Sequence, residues 1–188
     1  MQVLNSFKTS PEKALDEIDK NWRDYPGLLV CGTHAPNKEE FEKIIRKINQ
    51  ARMTGYPFLG ICSGMQLAVI EIARNRLGIK DATTEELESS PNAVIVKMPE
   101  LRVGIKFTSW WGGDGYESHW HNYKVSNQII LPFPTWVSGN VLEAFRIENH
   151  PFFAGVQFHP EYQSSKKDPH PVLVEFIEAC KEYAKNYN

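Results

Sequence analysis

Cysteine, net charge and long apolar runs are all scarce in this chain of 188 residues. Its three cysteines are an odd number without the spacing of a disulfide framework, which favours a reducing compartment. The formal net charge of −2 predicts neither nucleic acid nor an anionic membrane surface as a partner. No apolar run approaches the roughly 20 residues of a membrane span, and residues 1–5 lack the form of a signal peptide. We therefore expect a cytoplasmic protein.

Internal repeats, low-complexity tracts and interdomain linkers are also missing from the sequence. The length suits one sizeable hydrophobic core. Helical and strand patterns alternate along the chain in the way that a parallel sheet requires. These features predict an α/β protein with a single domain over residues 1–188.

Apolar spacing predicts four helices. The first begins at Ser10 and carries Trp22 on its apolar face, and the second is opened by the pattern Asn37-x-x-Glu40, which is typical of a capped first turn. Inward positions of the second, third and fourth helices are Phe41, Ile44, Ile45, Ile48, Leu67, Val69, Ile70, Ala73, Leu77, Val172, Val174, Phe176, Ile177 and Cys180.

The remaining segments are predicted to be strands and loops. Apolar strands are expected over 27–31, 56–61 and 94–96, with a polar loop over 83–92 between the last two. Residues 110–115, which hold two tryptophans and three glycines, are predicted to form a turn or mobile loop. Short strands are expected from there to residue 158.

A thiol stands between two glycines where the strand over 56–61 meets the third helix. The pattern Gly60-x-Cys62-x-Gly64 is the cysteine form of a nucleophile elbow, because small residues on both sides permit a sharp turn that projects the side chain into a cleft. The positive end of the helix dipole favours a thiolate there. Taken alone, Cys62 is more typical of a small buried core residue.

A histidine and a carboxylate follow near the end of the chain. A thiol nucleophile needs a base within hydrogen-bond reach, and the base needs a third group to orient it. His159 is the candidate base, and Glu161 is expected on the same face of an extended segment, where it would fix the imidazole. Cys62, His159 and Glu161 together predict a catalytic site far more specifically than any one of them.

These segments resemble the class I glutamine amidotransferase family, and within it the glutaminase domain of CTP synthase. The similarity is strong over residues 60–82 and 156–162, weaker over 117–125, and covers about residues 27–180. It implies a flavodoxin-like three-layer α/β sandwich with a mostly parallel central sheet. It also implies hydrolysis of the glutamine side-chain amide to glutamate and ammonia, without a cofactor.

The resemblance assigns roles to individual residues. Cys62 would attack the carboxamide, His159 would move the proton, and Glu161 would orient His159. The oxyanion donors would come from the Ser63 N–H and from the loop at Gly32 and Thr33. The substrate contacts implied in the same way are Gln66, Glu86, His34, Asn122 and Tyr123.

Two positions depart from the family. Thr33 stands where the family usually has a glycine, and threonine at positive φ is strained. Asn122 stands where CTP synthase carries an arginine that grips the glutamine α-carboxylate, just before Tyr123. An Arg–carboxylate contact contributes roughly 1.5–3 kcal/mol, so glutamine should bind weakly unless another cation, such as Arg102 or Arg146, replaces it.

His119-x-His121 has the spacing of two metal ligands on one strand face. The family has histidines in this segment without a metal, so we predict no metal site.

Three functions remain open on the sequence. The first is a glutaminase subunit that passes ammonia to a separate synthase or amidoligase. The second is a stand-alone thiol hydrolase of another γ-glutamyl or related amide, which Thr33 and Asn122 favour. The third is a non-catalytic regulatory relative, against which the complete Cys62, His159 and Glu161 set argues. A small-molecule amide is the expected ligand of the two enzymes, and a homo-oligomer is left open.

Overall fold

The computed structural model describes residues 1–4, 10–32 and 37–187 of the chain. In these residues the elements are, in chain order, β1 (Gln2–Leu4), α1 (Ser10–Ile18), β2 (Leu28–Val30), α2 (Lys38–Thr54), β3 (Phe58–Ile61), α3 (Ser63–Asn75), β4 (Thr83–Thr84), β5 (Ala93–Trp110), β6 (Gly113–Val125), β7 (Thr135–Ser138), β8 (Val141–Arg146), β9 (Phe153–Val156) and α4 (Pro171–Tyr187). Short 3₁₀-helices cover Trp22–Asp24 and Pro160–Tyr162.

Six of the strands form a central sheet in the order β1-β2-β3-β9-β8-β7. The first four of these are parallel to one another, and β8 and β7 are antiparallel additions at one edge. Helices α2 and α3 pack on one face of the sheet around Ile48 and Ile70, while α1 and α4 pack on the other around Leu15 and Phe176. This arrangement confirms the predicted three-layer sandwich with a mostly parallel sheet.

The second helix forms as its sequence predicts. The Asn37 side chain accepts a hydrogen bond from the Glu40 N–H at 2.9 Å and so caps the first turn. Gly55 ends the helix in the left-handed conformation, at φ 72°. Between these ends, the predicted inward residues are buried: Phe41, Ile44, Ile45 and Ile48.

Two predicted helix boundaries are wrong. The first helix ends at Ile18 and Trp22 lies in a separate 3₁₀-turn, because the Asp19 carboxylate accepts from the Asn21 N–H at 2.8 Å and redirects the chain. The third helix ends at Asn75, so Leu77 lies beyond it, next to a glycine at positive φ.

The segment predicted as a turn or loop over 110–115 is mostly strand. β5 and β6 pair as far as Trp110 and Gly113, so that only two residues form the turn. Trp110 is buried against the rings of Phe158 and His170. A Cβ at Gly115 would lie 3.1 Å from the Trp110 ring, so glycine here makes room for an aromatic ring rather than breaking a strand.

β5 and β6 form a long hairpin outside the central sheet. They are 18 and 13 residues long, whereas short strands were predicted. The polar segment over 83–92 also contains a two-residue strand, β4, that pairs with β5. No helix within the described residues is both long and apolar enough to cross a membrane.

Candidate active site

Two neighbouring parallel strands bring Cys62 and His159 together. β3 pairs with β9 with Ile61 opposite Val156, and the Cys62 N–H donates to the Val156 carbonyl at 2.8 Å. The carboxyl ends of adjacent parallel strands meet at one edge of a sheet, where α/β proteins place ligands. His159 follows β9, and its N–H donates to the Ser118 carbonyl on β6 at 2.8 Å. The hairpin therefore forms the other wall of the site.

Cys62 occupies a strained turn between β3 and α3. Its φ of 55° and ψ of −112° lie outside the ordinary regions, and it is the one non-glycine residue at positive φ in the described part of the chain. A Cβ at Gly64 would lie 1.9 Å from the Val30 carbonyl oxygen, and one at Gly60 would lie 2.6 Å from the Gly64 carbonyl oxygen. Both glycines are therefore required for this close approach.

The Cys62 sulfur sits at the start of α3 in a polar setting. It accepts a hydrogen bond from the Gln157 Nε2 at 3.7 Å and lies 3.7 Å from the Trp120 carbonyl oxygen. The other two cysteines, Cys31 and Cys180, are buried, and burial raises the pKa of both thiols. Cys62 is the cysteine that borders an open cavity.

His159 is held between a thiol and a carboxylate. Its Nδ1 lies 2.8 Å from the Glu161 Oε1, and its imidazole also interacts electrostatically with the Cys62 side chain. Burial opposes a charge on the imidazole, but the contacts with Cys62 and Glu161 outweigh it and raise the pKa of His159 to about 10. His159 therefore carries a proton at neutral pH.

The backbone around this pair differs from the predicted extended segment. β9 ends at Val156, His159 precedes a 3₁₀-helix, and Glu161 lies within that helix, with Pro160 at its first position. A tight turn, rather than strand alternation, brings the two side chains to one side.

A cavity of about 670 Å³ opens in front of Cys62, between the elbow and the β5–β6 hairpin. It collects the described residues that the resemblance assigns to the oxyanion site and the substrate, namely Gly32, Ser63, Gln66, Glu86, Asn122 and Tyr123. Thr33 and His34 lie outside the described residues. The wall is completed by Leu101, Val103, Gly104, Ser118, His119, Trp120, His121 and Tyr162.

Gln157 is a site residue that the sequence reasoning missed. It is fully buried, donates to the Cys62 sulfur, and accepts from the Gln66 Nε2 at 3.0 Å. The Gln66 Nε2 also donates to the Tyr123 carbonyl at 2.9 Å. Gln66 thus links the nucleophile to the hairpin. The available signal was an amide side chain two residues before His159 in an otherwise apolar stretch.

His119 and His121 form a neutral hydrogen-bonded pair within the cavity wall. The His121 Nδ1 lies 2.9 Å from the Tyr123 carbonyl oxygen, which accepts, and His119 bridges the His121 Nε2 at 3.3 Å and the Thr108 hydroxyl at 3.0 Å. Burial is the main cause that lowers the pKa of His119 to about 3 and that of His121 to about 4. Neither ring brings a positive charge to the site at neutral pH.

Neither of the two arginines considered as replacement cations lines the cavity. Arg102 is engaged by the buried Glu143, whose Oε1 lies 2.6 Å from its Nη1. Arg146 pairs with Glu175 at 2.7 Å and lies over the ring of Phe152. Both guanidinium groups are therefore already engaged elsewhere.

Comparison with known proteins identifies relatives of the whole chain. The family model described as glutamine amidotransferase class-I matches residues 5–179. CTP synthase of Methanoculleus marisnigri is 32% identical over an alignment of 218 positions, gaps included, which covers 96% of this chain and 41% of that protein. CTP synthase of Symbiobacterium thermophilum is 36% identical over 186 residues, covering 84% and 34% respectively. The chain thus spans less than half the length of these relatives.

The fold is shared with a solved glutaminase domain. The structure described as Trypanosoma brucei CTPS glutaminase domain with bound acivicin superposes with a TM-score of 0.80 at 21% identity, over 96% of this chain and 92% of that one. At this identity the likeness concerns the fold, and it agrees with the flavodoxin-like architecture predicted from the sequence.

Proposed function

The chain belongs to the class I glutamine amidotransferase family of enzymes, and on that premise we propose that it hydrolyses the γ-carboxamide of glutamine or of a glutamine derivative through Cys62, His159 and Glu161. The observation that carries this proposal is the arrangement of the three side chains. A strained cysteine at a helix N-terminus and a histidine line the same cavity, and a carboxylate lies 2.8 Å from that histidine.

The first half of the reaction forms a thioester. Cys62 attacks the carboxamide carbon as the thiolate, the thiol proton having passed to His159. His159 then protonates the departing nitrogen, ammonia leaves, and an acyl group remains on Cys62. The raised pKa of His159 suits this role, because the residue holds its proton until the leaving group needs it.

The second half regenerates the thiol. His159, now neutral, takes a proton from water, the resulting hydroxide attacks the thioester, and the γ-carboxylate product leaves. Glu161 stabilises the imidazolium in both halves. The tetrahedral oxyanion would be stabilised by the Ser63 N–H at the start of α3 and by a donor from the segment that begins at Gly32, each contributing roughly 3 kcal/mol.

The ammonia is proposed to pass to a separate synthase. The relatives named CTP synthase are more than twice as long as the aligned region, so a partner that consumes ammonia would complete a comparable reaction. An independent hydrolase is the second candidate, favoured by Asn122 in the cavity wall.

Trapping of the thioester tests the chemistry. With glutamine and hydroxylamine, the protein should release ammonia and form γ-glutamyl hydroxamate, with hydroxamate and glutamate together equal to the ammonia, whereas Cys62→Ala should form none of these products. Cys31→Ala is the matched control, because that thiol is buried beside the same edge of the sheet but does not line the cavity. Hydroxamate formation that survives Cys62→Ala would rule out the mechanism, and a non-catalytic relative would give no product from either protein.

A further inference from the structure

One wall of the cavity is unusually apolar. Leu101, Val103, Trp120 and Tyr162 line it, and each of these side chains is between 42% and 62% exposed. Exposed apolar side chains that gather at a cavity mouth are typical of a ligand surface.

The β5–β6 hairpin that provides this wall has its polar face inward. Strand register places Val103 opposite Trp120, and Gly104 opposite His119. The side chains that face the protein are Arg102, Thr108, Glu117, His119 and His121, and those that face outward include Leu101, Val103, Ile105, Phe107, Tyr116 and Trp120. Because a hairpin ordinarily buries its apolar side, this inversion points to a function for the outward face.

A bulge places apolar side chains beside Asn122. Pairing of β5 with β6 is regular up to Lys97 opposite Tyr123 and resumes at Arg102 opposite His121. Residues 98–101 therefore stand against the single residue Asn122, and Leu101 of this bulge lines the cavity. The bulge residue that lines the cavity is therefore apolar.

The described residues around the cavity supply no lysine or arginine. Glu86 contributes a carboxylate, His119 and His121 are neutral at pH 7, and the charge on His159 faces Glu161. A free carboxylate on the ligand would lose its hydration here without gaining a cation. An uncharged group in the same place would meet Leu101 and Val103 at no such cost.

We propose that the preferred substrate is glutamine whose α-carboxyl group is blocked as an amide with an apolar substituent. The proposal rests on the proposed function, since the same γ-carboxamide is hydrolysed at Cys62. The γ C–N bond breaks, ammonia leaves, water supplies the new γ-carboxylate oxygen, and the α-amide stays intact. The apolar substituent lies against Leu101, Val103 and Trp120.

Kinetics with two matched substrates test the proposal. L-glutamine and its α-(N-benzyl)amide both release ammonia only from the γ-carboxamide. Cleavage of the α-amide in the second substrate would release benzylamine instead. Burying a phenyl ring is worth about a tenfold to hundredfold gain, so kcat/KM should be at least about tenfold higher for the benzylamide. Binding of the same two ligands to the inactive Cys62→Ala variant, measured by calorimetry, ranks them without turnover and should give the same order.

Two variants test whether the apolar substituent contacts the cavity wall or another part of the hairpin. Val103→Ser should lower the benzylamide-to-glutamine ratio of kcat/KM by about threefold or more. Ile105→Ser is the matched control, because Ile105 lies on the same outward face but does not line the cavity, and it should leave the ratio unchanged. An equal loss in both variants would contradict the assigned position of the substituent.

The possible failures are distinguishable. Equal or better use of free glutamine, with Cys62-dependent ammonia release, overturns the substrate proposal and leaves the proposed function intact. If Lys97→Met then abolishes hydrolysis of free glutamine, Lys97 is the cation that binds the α-carboxylate. Absence of Cys62-dependent product from either substrate overturns the proposed function, and the substrate proposal falls with it.

Discussion

The Nδ1 atom of His159 lies 2.8 Å from the Oε1 atom of Glu161, and the two side chains are only 6% and 3% exposed. Because Nδ1 faces the carboxylate, Nε2 is the ring nitrogen left for Cys62. A buried ion pair of this kind fixes both the orientation and the charge of the imidazole.

Replacing Glu161 should change how His159 titrates. Without the carboxylate, burial opposes the imidazolium more effectively, so in Glu161→Gln the pKa of His159 should fall below its value of about 10. Loss of the proton donor should therefore move the alkaline limb of kcat/KM, which reports the free enzyme, to lower pH, and kcat should fall by about a hundredfold. NMR titration of the imidazole and a pH–rate profile measure both effects.

Glu117→Gln is the control for this change. Glu117 pairs with the buried His170 at 3.1 Å, outside the cavity. This variant should leave the titration of His159 where it is. If the pKa of His159 were unchanged in Glu161→Gln, Glu161 would not be the residue that positions His159.

A glutamine-analogue diazoketone should label Cys62 alone. Cys31 and Cys180 are buried and burial raises the pKa of each thiol, so neither offers a thiolate at neutral pH. Peptide mapping by mass spectrometry should find one modified cysteine, and Cys62→Ala should remove it. Modification of Cys31 in the wild type would contradict the assignment of the nucleophile.

Asn122→Arg should strengthen the binding of free glutamine. A new cation beside the cavity would contribute roughly 1.5–3 kcal/mol to a carboxylate contact, so KM for glutamine should fall by about tenfold or more. kcat should change little, because the contact is equal in the ground state and the transition state. Asn122→Gln, which adds length without charge, should not lower KM. Steady-state kinetics that show equal KM for the two variants would exclude a missing cation as the cause.

Gly64→Ala should destabilise the protein strongly. The new methyl group would meet the Val30 carbonyl oxygen at 1.9 Å, and the strand or helix must move apart, at a cost of about 3 kcal/mol. Gly78→Ala is the matched comparison, since its Cβ would meet nothing within 4 Å and only the positive φ of 77° is strained, which costs about 1 kcal/mol. Denaturant unfolding compares the two, and equal losses would show that the close packing at Gly64 does not matter.

Arg102→Met should destabilise the protein in a pH-dependent way. Burial raises the pKa of Glu143 to about 7 in spite of Arg102, and without the guanidinium this pKa should rise further. Above it, a fully buried carboxylate would have no cation, at a cost of roughly 3–5 kcal/mol. At pH 5 the carboxyl group is neutral and most of the loss should disappear. Unfolding free energies at pH 5 and pH 9 measure the difference, and a loss that is the same at both would exclude charge burial.

The sequence by itself determined the local structure and the kind of chemistry. Asn37 and Glu40 specify a helix start, because a side chain three residues away reaches the free N–H groups. Gly60 before Cys62 specifies a sharp strand-to-helix turn, because a side chain there would strike the backbone of Gly64. These properties depend on residues close in the chain, so they can be deduced without the fold.

Only the tertiary structure decided what surrounds these elements. Residues 110–115 became strand because Trp110 packs between Phe158 and His170, which are far away in the chain. Gln157 reaches the Cys62 sulfur because β9 lies next to β3. Spacing along a sequence carries no information about such neighbours.

The charge of the cavity was likewise a matter of tertiary structure. The sequence identified Asn122 as a departure from the family and left Arg102 or Arg146 as a possible replacement cation. The folded hairpin excludes Arg102 as that cation. Its guanidinium group pairs with the buried Glu143, and Leu101 is the neighbouring residue that lines the cavity. A shift of one residue along a strand exchanges its two faces, and only the folded hairpin fixes that register.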